Sequence, residues 1–282
     1  MVVPKRLFFF WGNPVMSWFR YMTLYSARKY NPDWKIELYV TDVSRDEKYW
    51  KECNEQDFFM YKGENYFNRI QDLNIEIKQC PRAANIEGAG PSHMSNFFKW
   101  RELSEEGGVY ADMDILFLKP LDDWYESIKR YDSGLSWYDA LNHGYFSIGF
   151  MFSSGQSILF NDIYDNAKET FREGKYQSAG VDALYRIVNV KLNGLRLKPS
   201  ERIRVSYSKV HYIPMDTVYP FLFNQSDERF SLCIKELPEK CLGIHWYAGD
   251  PAAQVFNSTI NERNLQSQCN TMTYFLDRVL ND

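Results

Sequence analysis

Val3 to Trp11 is a nearly unbroken apolar run, which predicts a first strand buried on both faces. Gly12-Asn13-Pro14 breaks it, and Asn13 ahead of Pro14 suits a helix cap and first position. Val15, Trp18, Phe19, Met22 and Tyr25 then recur at helical spacing. Asn31-Pro32-Asp33 ends that helix, and Lys35 to Val40 reads as a second strand. A strand, helix and strand of these lengths imply a parallel pair. Weak helical patterning runs from Arg45 to Phe59, and Ile75 to Ile77 predicts a third strand. Ser92 to Glu106 predicts a helix with Phe97, Trp100 and Leu103 on one face, stopped by Gly107-Gly108. Val109 to Asp112 follows as a strand.

The second half is less regular. Leu121 to Tyr131 reads as helix, Leu135 to Tyr138 and Phe146 to Phe152 as strands. Gln156 to Arg172 and Val181 to Val190 are amphipathic helices. Short strands are expected at 195–197, 203–205 and 210–213, loops over 214–244, and a closing helix from Asn264 to Leu280. No repeat or low-complexity linker interrupts the chain. The pattern predicts an α/β fold, a single Rossmann-like mixed sheet flanked by helices, in one domain over 1–282.

The 33 Lys and Arg against 37 Asp and Glu leave a net charge of −4 with no basic run, so a nucleic-acid partner is not expected. No segment has the length to cross a bilayer, so no integral membrane segment is expected either. Five dispersed cysteines, none in a C-x-x-C pair, read as reduced thiols. Aromatic residues make up 17% of the chain, enough to supply stacking surfaces for sugars or bases as well as a core.

The chemistry centres on Gly107-Gly108-Val109-Tyr110-Ala111-Asp112-Met113-Asp114. Two carboxylates spaced i, i+2 at the end of a strand share a face, and a bend there lets them reach a common cation. Manganese and magnesium take hard oxygen ligands and keep open positions for phosphates. The apolar run Ile115 to Leu118 behind the pair sets it in a buried strand pattern, where unpaired carboxylates are costly. The alternative is a turn in which Asp112 and Asp114 bond to backbone amides.

Val3-Pro4-Lys5 leading to Trp11-Gly12, Asn31-Pro32-Asp33-Trp34, and the Gly107–Asp114 stretch with Leu118-Lys119-Pro120-Leu121 resemble glycosyltransferase family 32, the Och1-like group with the DXD sugar-binding region. The glucosylating clostridial toxins are more distantly similar. The resemblance covers residues 1–125 well and thins towards 250. It implies a GT-A fold, with 1–125 as the nucleotide-sugar half and 126–282 as the acceptor half. It also implies a nucleotide-sugar donor (UDP ahead of GDP), a glycan or other hydroxyl acceptor, Mn2+ or Mg2+, and retention of configuration.

By the same resemblance, Trp11 stacks on the donor base, with a core tryptophan as the alternative. Tyr110 lies near the ribose or sugar, Asp112 contacts the donor and Asp114 binds the metal. Ser95-Asn96-Phe97-Phe98-Lys99 stands where the family has Ser-Asp-x-x-Arg, so Asn96 and Lys99 replace the acid and base that hold the donor sugar. Gly180-Val181-Asp182 matches a turn that places a polar group under the anomeric carbon, which makes Asp182 a catalytic candidate; its alternative is a first-turn helix acid. His245, in Gly243 to Asp250, matches a histidine that helps hold the metal or diphosphate, or is structural. The family's Ser-Trp after it is replaced by Gly249-Asp250. Loops at 82–91 and 248–258 are expected as lids. A soluble cytoplasmic enzyme of bacterial or viral origin is expected. The rival readings are an Asp-x-Asp phosphatase, whose pair would follow the first strand, and a carbohydrate-binding β-sandwich, which the long helices oppose.

Overall fold

The computed structural model describes residues 1–12, 15–41, 61–80, 86–138, 145–188, 203, 207 and 209–282. The expected helix over 45–59, the strand at 195–197 and most of 203–205 lie outside these residues, as do Asn13 and Pro14.

A seven-stranded mixed sheet organises the molecule. Its strands are β1 (Arg6–Trp11), β2 (Lys35–Val40), β3 (Glu76–Gln79), β4 (Gly108–Ala111), β6 (Ser133–Tyr138), β7 (Tyr145–Ser153) and β8 (Val210–Pro214), in the order β3-β2-β1-β4-β7-β6-β8. A separate two-stranded sheet pairs β5 (Ile115–Phe117) with β9 (Gly243–His245). β1, β2, β3 and β4 run parallel, and β7 is antiparallel to β4 and β6. The mixed α/β sheet with helices on its faces is the expected architecture.

β1 is buried at every position because both its faces are covered. Leu7, Phe9 and Trp11 belong to one core, while Phe8 and Phe10 belong to another with Phe97, Phe98 and Trp100. Those three come from helix α2 (Pro91–Glu105). Alternate residues of an extended strand point to opposite faces, so one apolar run serves two cores. A third core joins Trp18 and Phe19 of α1 (Trp18–Tyr30) to Trp246 and Phe256. Phe19 stacks on Trp246 with ring centroids 4.2 Å apart.

Several boundaries move. Helix α1 is capped by Ser17, whose hydroxyl accepts from the Arg20 N–H at 3.2 Å, and not by Asn13. The expected closing helix is a short turn at Leu265–Ser267 followed by an α-helix, Thr271–Asn281, with Asn270 and Thr273 forming a reciprocal cap. The lid expected over 248–258 is largely a helix, Pro251–Thr259. Asp250 caps it through the Ala252 N–H at 2.8 Å, and Phe256 packs on Phe19 at 5.1 Å. The four described cysteines, Cys80, Cys233, Cys241 and Cys269, are free thiols, as expected. No described helix is long and apolar enough to cross a membrane.

Arg6 lies in the sheet as the centre of a buried ionic network. Its guanidinium bonds to the carboxylates of Glu37 and Glu102, to the Tyr39 hydroxyl at 2.8 Å and to the Gly107 carbonyl at 2.7 Å. Burial acts to raise the Glu37 carboxyl, but Lys35 and Lys78, each at 2.6 Å, and Arg6 outweigh it and hold the group at about 2 against an ordinary 4.5. A depressed carboxylate stabilises the fold above its unfolded pKa and stops doing so as pH falls through the folded one. Glu37 therefore contributes fully above about pH 4.5 and loses its contribution between there and about pH 2. Glu37→Gln is expected to flatten the stability-against-pH curve across that window, by on the order of 2 kcal/mol, in urea melts at stepped pH. An unchanged acid limb would refute the assignment.

Candidate active site

The strand order reverses between β1 and β4, and the crevice outside the carboxyl ends of such strands is where open α/β sheets take ligands. A cavity of about 330 Å³ opens there. Trp11, Asn96, Lys99, Tyr110, Asp112, Asp114 and His245 all line it. The structure thus brings together every proposed site residue except Asp182.

The two aspartates reach it across a turn. β4 stops at Ala111, although the Asp112 N–H still donates to the Gly149 carbonyl at 2.8 Å. The chain turns at Met113-Asp114 and re-enters β5, which pairs with β9 so that Ile115 faces His245. Asp112 is therefore held against β7 and Asp114 against β9. Among the described residues, Asp112, Asp114 and His245 form a group in which one ligand atom from each lies within 4.8 Å of the others.

Asp114 is 7% exposed. Its Oδ1 is 3.1 Å from His245 Nε2, and its Oδ2 accepts from the Ala248 N–H at 2.9 Å. Burial acts to raise its pKa, but His245, Arg20 and the Ala248 N–H outweigh that and hold the carboxyl well below the usual range. The backbone that aims Ala248 is strained, since Tyr247 has φ 55°. The turn reading of the pair is thus partly true of Asp114, whose second oxygen meets a main-chain amide.

Asp112 is held differently. Its Oδ1 accepts from the Tyr110 hydroxyl at 2.6 Å and from Lys99 Nζ at 3.2 Å. Lys99 also donates to the Ile148 carbonyl at 3.3 Å and lies 4.5 Å from the centre of the Tyr110 ring. Burial, then the Asp112 charge, raise the Tyr110 phenol well above its ordinary value, so it stays a neutral donor. Gly149 makes room: a Cβ there would sit 2.6 Å from Asp112 Oδ2. Asn96 is buried at the cavity wall, and a Cβ on Gly180 would come within 2.9 Å of its Nδ2. Trp11 is only 3% exposed while lining the cavity, so both readings of it keep their ground.

Asp182 is not among the lining residues. It stands in the first turn of helix Val181–Val188 and pairs with Lys175 at 2.6 Å, which matches its alternative as a helix acid. Sequence reasoning passed over Arg20, which also lines the cavity, as do Ser147 and Gly149 of the strand Tyr145 to Met151, expected by the resemblance to carry donor and acceptor contacts, and Tyr247 of the His245 segment. Arg20 carried a readable signal: a cation in the first turn of a helix opposes the helix dipole.

The donor set suits a hard divalent ion, with two carboxylates and an imidazole, one carboxylate firmly ionised. His245 Nδ1 is buried and makes no hydrogen bond.

Residues 19–131 match the family model for the glycosyltransferase sugar-binding region containing the DXD motif. The match takes in Arg20, Asn96, Lys99, Tyr110, Asp112 and Asp114, and stops far short of His245. The chain thus carries a glycosyltransferase sugar-binding region with its DXD pair, Asp112 and Asp114. No curated protein matches it by sequence. Among solved structures, the PaToxG glycosyltransferase aligns at 17% identity over 66% of this chain and 70% of its own, with a TM-score of 0.46. The glycosyltransferase GlyE of Streptococcus pneumoniae TIGR4 aligns at 11% identity over 97% of this chain and 63% of its own, with a TM-score of 0.44. The galactosyltransferase LgtC, in complex with donor and acceptor sugar analogs, aligns at 11% identity over 93% and 100%, with a TM-score of 0.41. None of the three reaches a TM-score of 0.5, too little overlap to carry chemistry from one chain to another.

Proposed function

We propose that this protein is a metal-dependent, GT-A type transferase that moves a sugar from a nucleoside diphosphate sugar to a hydroxyl of a glycan or other acceptor. The observation that carries the reading is the convergence of Asp112, Asp114 and His245 in the crevice at the switch point of the sheet. Asp114 and His245 would hold Mn2+ or Mg2+, with Asp112 beside them. Bound there, the ion supplies Lewis-acid stabilisation of a diphosphate leaving group.

The chain's own residues do the rest. Asp112 is oriented by Tyr110 and Lys99 and accepts a hydroxyl of the donor. Asn96 brings an amide that both donates and accepts, and Lys99 a point charge in place of a planar fork. That pair shapes the choice of sugar. Trp11 lines the cavity and is the ring on which the base would stack; stacking of a pyrimidine fits the toxin-like resemblance, so UDP ranks ahead of GDP. Retention is part of the proposal through the resemblance to family 32. Residues 1–125 form the donor half and 126–282 the acceptor half.

Calorimetric titration with UDP and with GDP, each with and without manganese, tests this. UDP is expected to bind only when manganese is present, and a panel of UDP-sugars to be slowly hydrolysed under the same conditions. Nucleotide binding indifferent to manganese, or metal-dependent release of phosphate from a sugar phosphate, would sink it.

A further inference from the structure

We propose that Arg229 is a positioning residue for the metal site: through its pair with Asp250 it holds the turn that delivers the Ala248 N–H to Asp114. This rests on the metal reading above, and it adds two residues that reading does not use.

Arg229 stands in the short helix Ser226–Phe230, is fully buried, and is not among the residues that line the cavity. Its guanidinium joins two stretches of chain that are. On one side, Nη1 donates to the Leu222 carbonyl at 2.7 Å and Nη2 to the Phe223 carbonyl at 3.1 Å. On the other, Nη2 donates to Asp250 Oδ2 at 2.5 Å, next to Tyr247, Ala248 and Gly249 of the lining. Asp250 is buried as well. Its Oδ1 accepts from the Ala252 N–H at 2.8 Å and from the Ser226 hydroxyl at 3.1 Å.

The turn leading to Asp250 needs this hold. The Asp250 N–H donates to the Tyr247 carbonyl at 2.8 Å, and Tyr247 itself lies at φ 55°. A residue with a Cβ is disfavoured there and stays only where its surroundings fix it. Arg229 supplies those surroundings. Its guanidinium carbon lies 4.8 Å from the centre of the Tyr247 ring, and the Tyr247 hydroxyl donates to the Phe221 carbonyl at 3.1 Å. Ala248 comes next, with its N–H on Asp114 Oδ2 at 2.9 Å. With that oxygen held, the carboxylate keeps one orientation within the group it forms with Asp112 and His245. A buried ion pair is by itself weak evidence of stability, since apolar packing can serve a fold as well. What a guanidinium adds is several directed bonds from one rigid plane. Here they fix two stretches of the cavity wall against each other. Gly249-Asp250 is also where the sequence departs from the family's Ser-Trp, so the carboxylate that Arg229 meets is a feature of this chain.

The test is manganese titration followed by electron paramagnetic resonance, below the melting temperature of every variant. Groups that orient metal ligands are worth about 10- to 100-fold in metal affinity, and Arg229→Met is expected to weaken manganese by at least about tenfold. Asp250→Ser keeps a capping oxygen on the following helix and removes the pair, so a similar loss is expected; it decides the matter if the methionine variant does not fold. Glu37→Gln, destabilised in β2 outside the cavity lining, is expected to bind manganese within about twofold of the wild type. Wild-type manganese affinity in folded Arg229→Met or Asp250→Ser would overturn the inference. So would an equal loss in Glu37→Gln, the mark of an effect that comes only through overall stability. Wild-type protein that binds no manganese would instead fail the metal reading itself, and the inference with it.

Discussion

Asp114→Ala is expected to abolish manganese-dependent UDP binding and to cut donor hydrolysis by about a thousandfold or more. Asp114 is one of the two carboxylates of the proposed ligand set and the one its surroundings hold firmly ionised. Its removal also leaves the Ala248 N–H without its acceptor and takes from His245 Nε2 the carboxylate 3.1 Å away. Truncating one member of a buried charged group costs about 3–5 kcal/mol, so the alanine variant is expected to melt lower as well. Asp114→Asn separates the two effects. Its carbonyl oxygen still accepts from Ala248, so the fold is kept, while the ionised ligand is gone. The prediction is a folded asparagine variant that binds no UDP in manganese by calorimetry. Wild-type affinity in that variant would remove Asp114 from the metal site.

Gly107→Ala is expected to cost about 3 kcal/mol or more, out of a total of the order of 5–15 kcal/mol. Gly107 has φ 74°, in the left-handed region that glycine occupies freely. A Cβ there would also fall 2.4 Å from the Gly155 nitrogen and 2.6 Å from the Ser153 carbonyl oxygen, which are backbone atoms with nowhere to go. Arg6 fixes the position further through the Gly107 carbonyl. Gly88→Ala is the control. Its φ of 79° brings the same conformational strain, but its nearest neighbour, at 3.0 Å, is the flexible carboxylate end of Glu173. About 1 kcal/mol is expected there. Urea denaturation of the two variants side by side measures the difference. Equal midpoints would mean that the backbone contact at Gly107 carries no cost.

The parts of the fold that could be read from the chain are those whose cause is local. β1 announced itself by an apolar run served on both faces, and α2 by Phe97, Trp100 and Leu103 at helical spacing ending in a glycine pair. The same glycine pair located the aspartates. The small β5–β9 sheet was not legible, because its pairing joins segments far apart in sequence and three residues a side leave little pattern. Asn13-Pro14 was a better cap by rule than Ser17, and the deeper contacts of Ser17 with Asn257 decided otherwise. The helix at Pro251–Thr259 could have been read, since Asp250-Pro251 is a cap followed by a first-position proline. At the site, His245 came from resemblance alone. Arg20 was hidden inside an apolar helix face, where its charge was the only clue.

The register that sets Ile115 against His245 also decides when the proposed metal-binding group can assemble. A nascent chain that has not yet reached Gly243 already carries both aspartates, but neither the imidazole nor the Ala248 amide that restrains Asp114. The group of two carboxylates and an imidazole is therefore complete only once the chain has been made past Ala248.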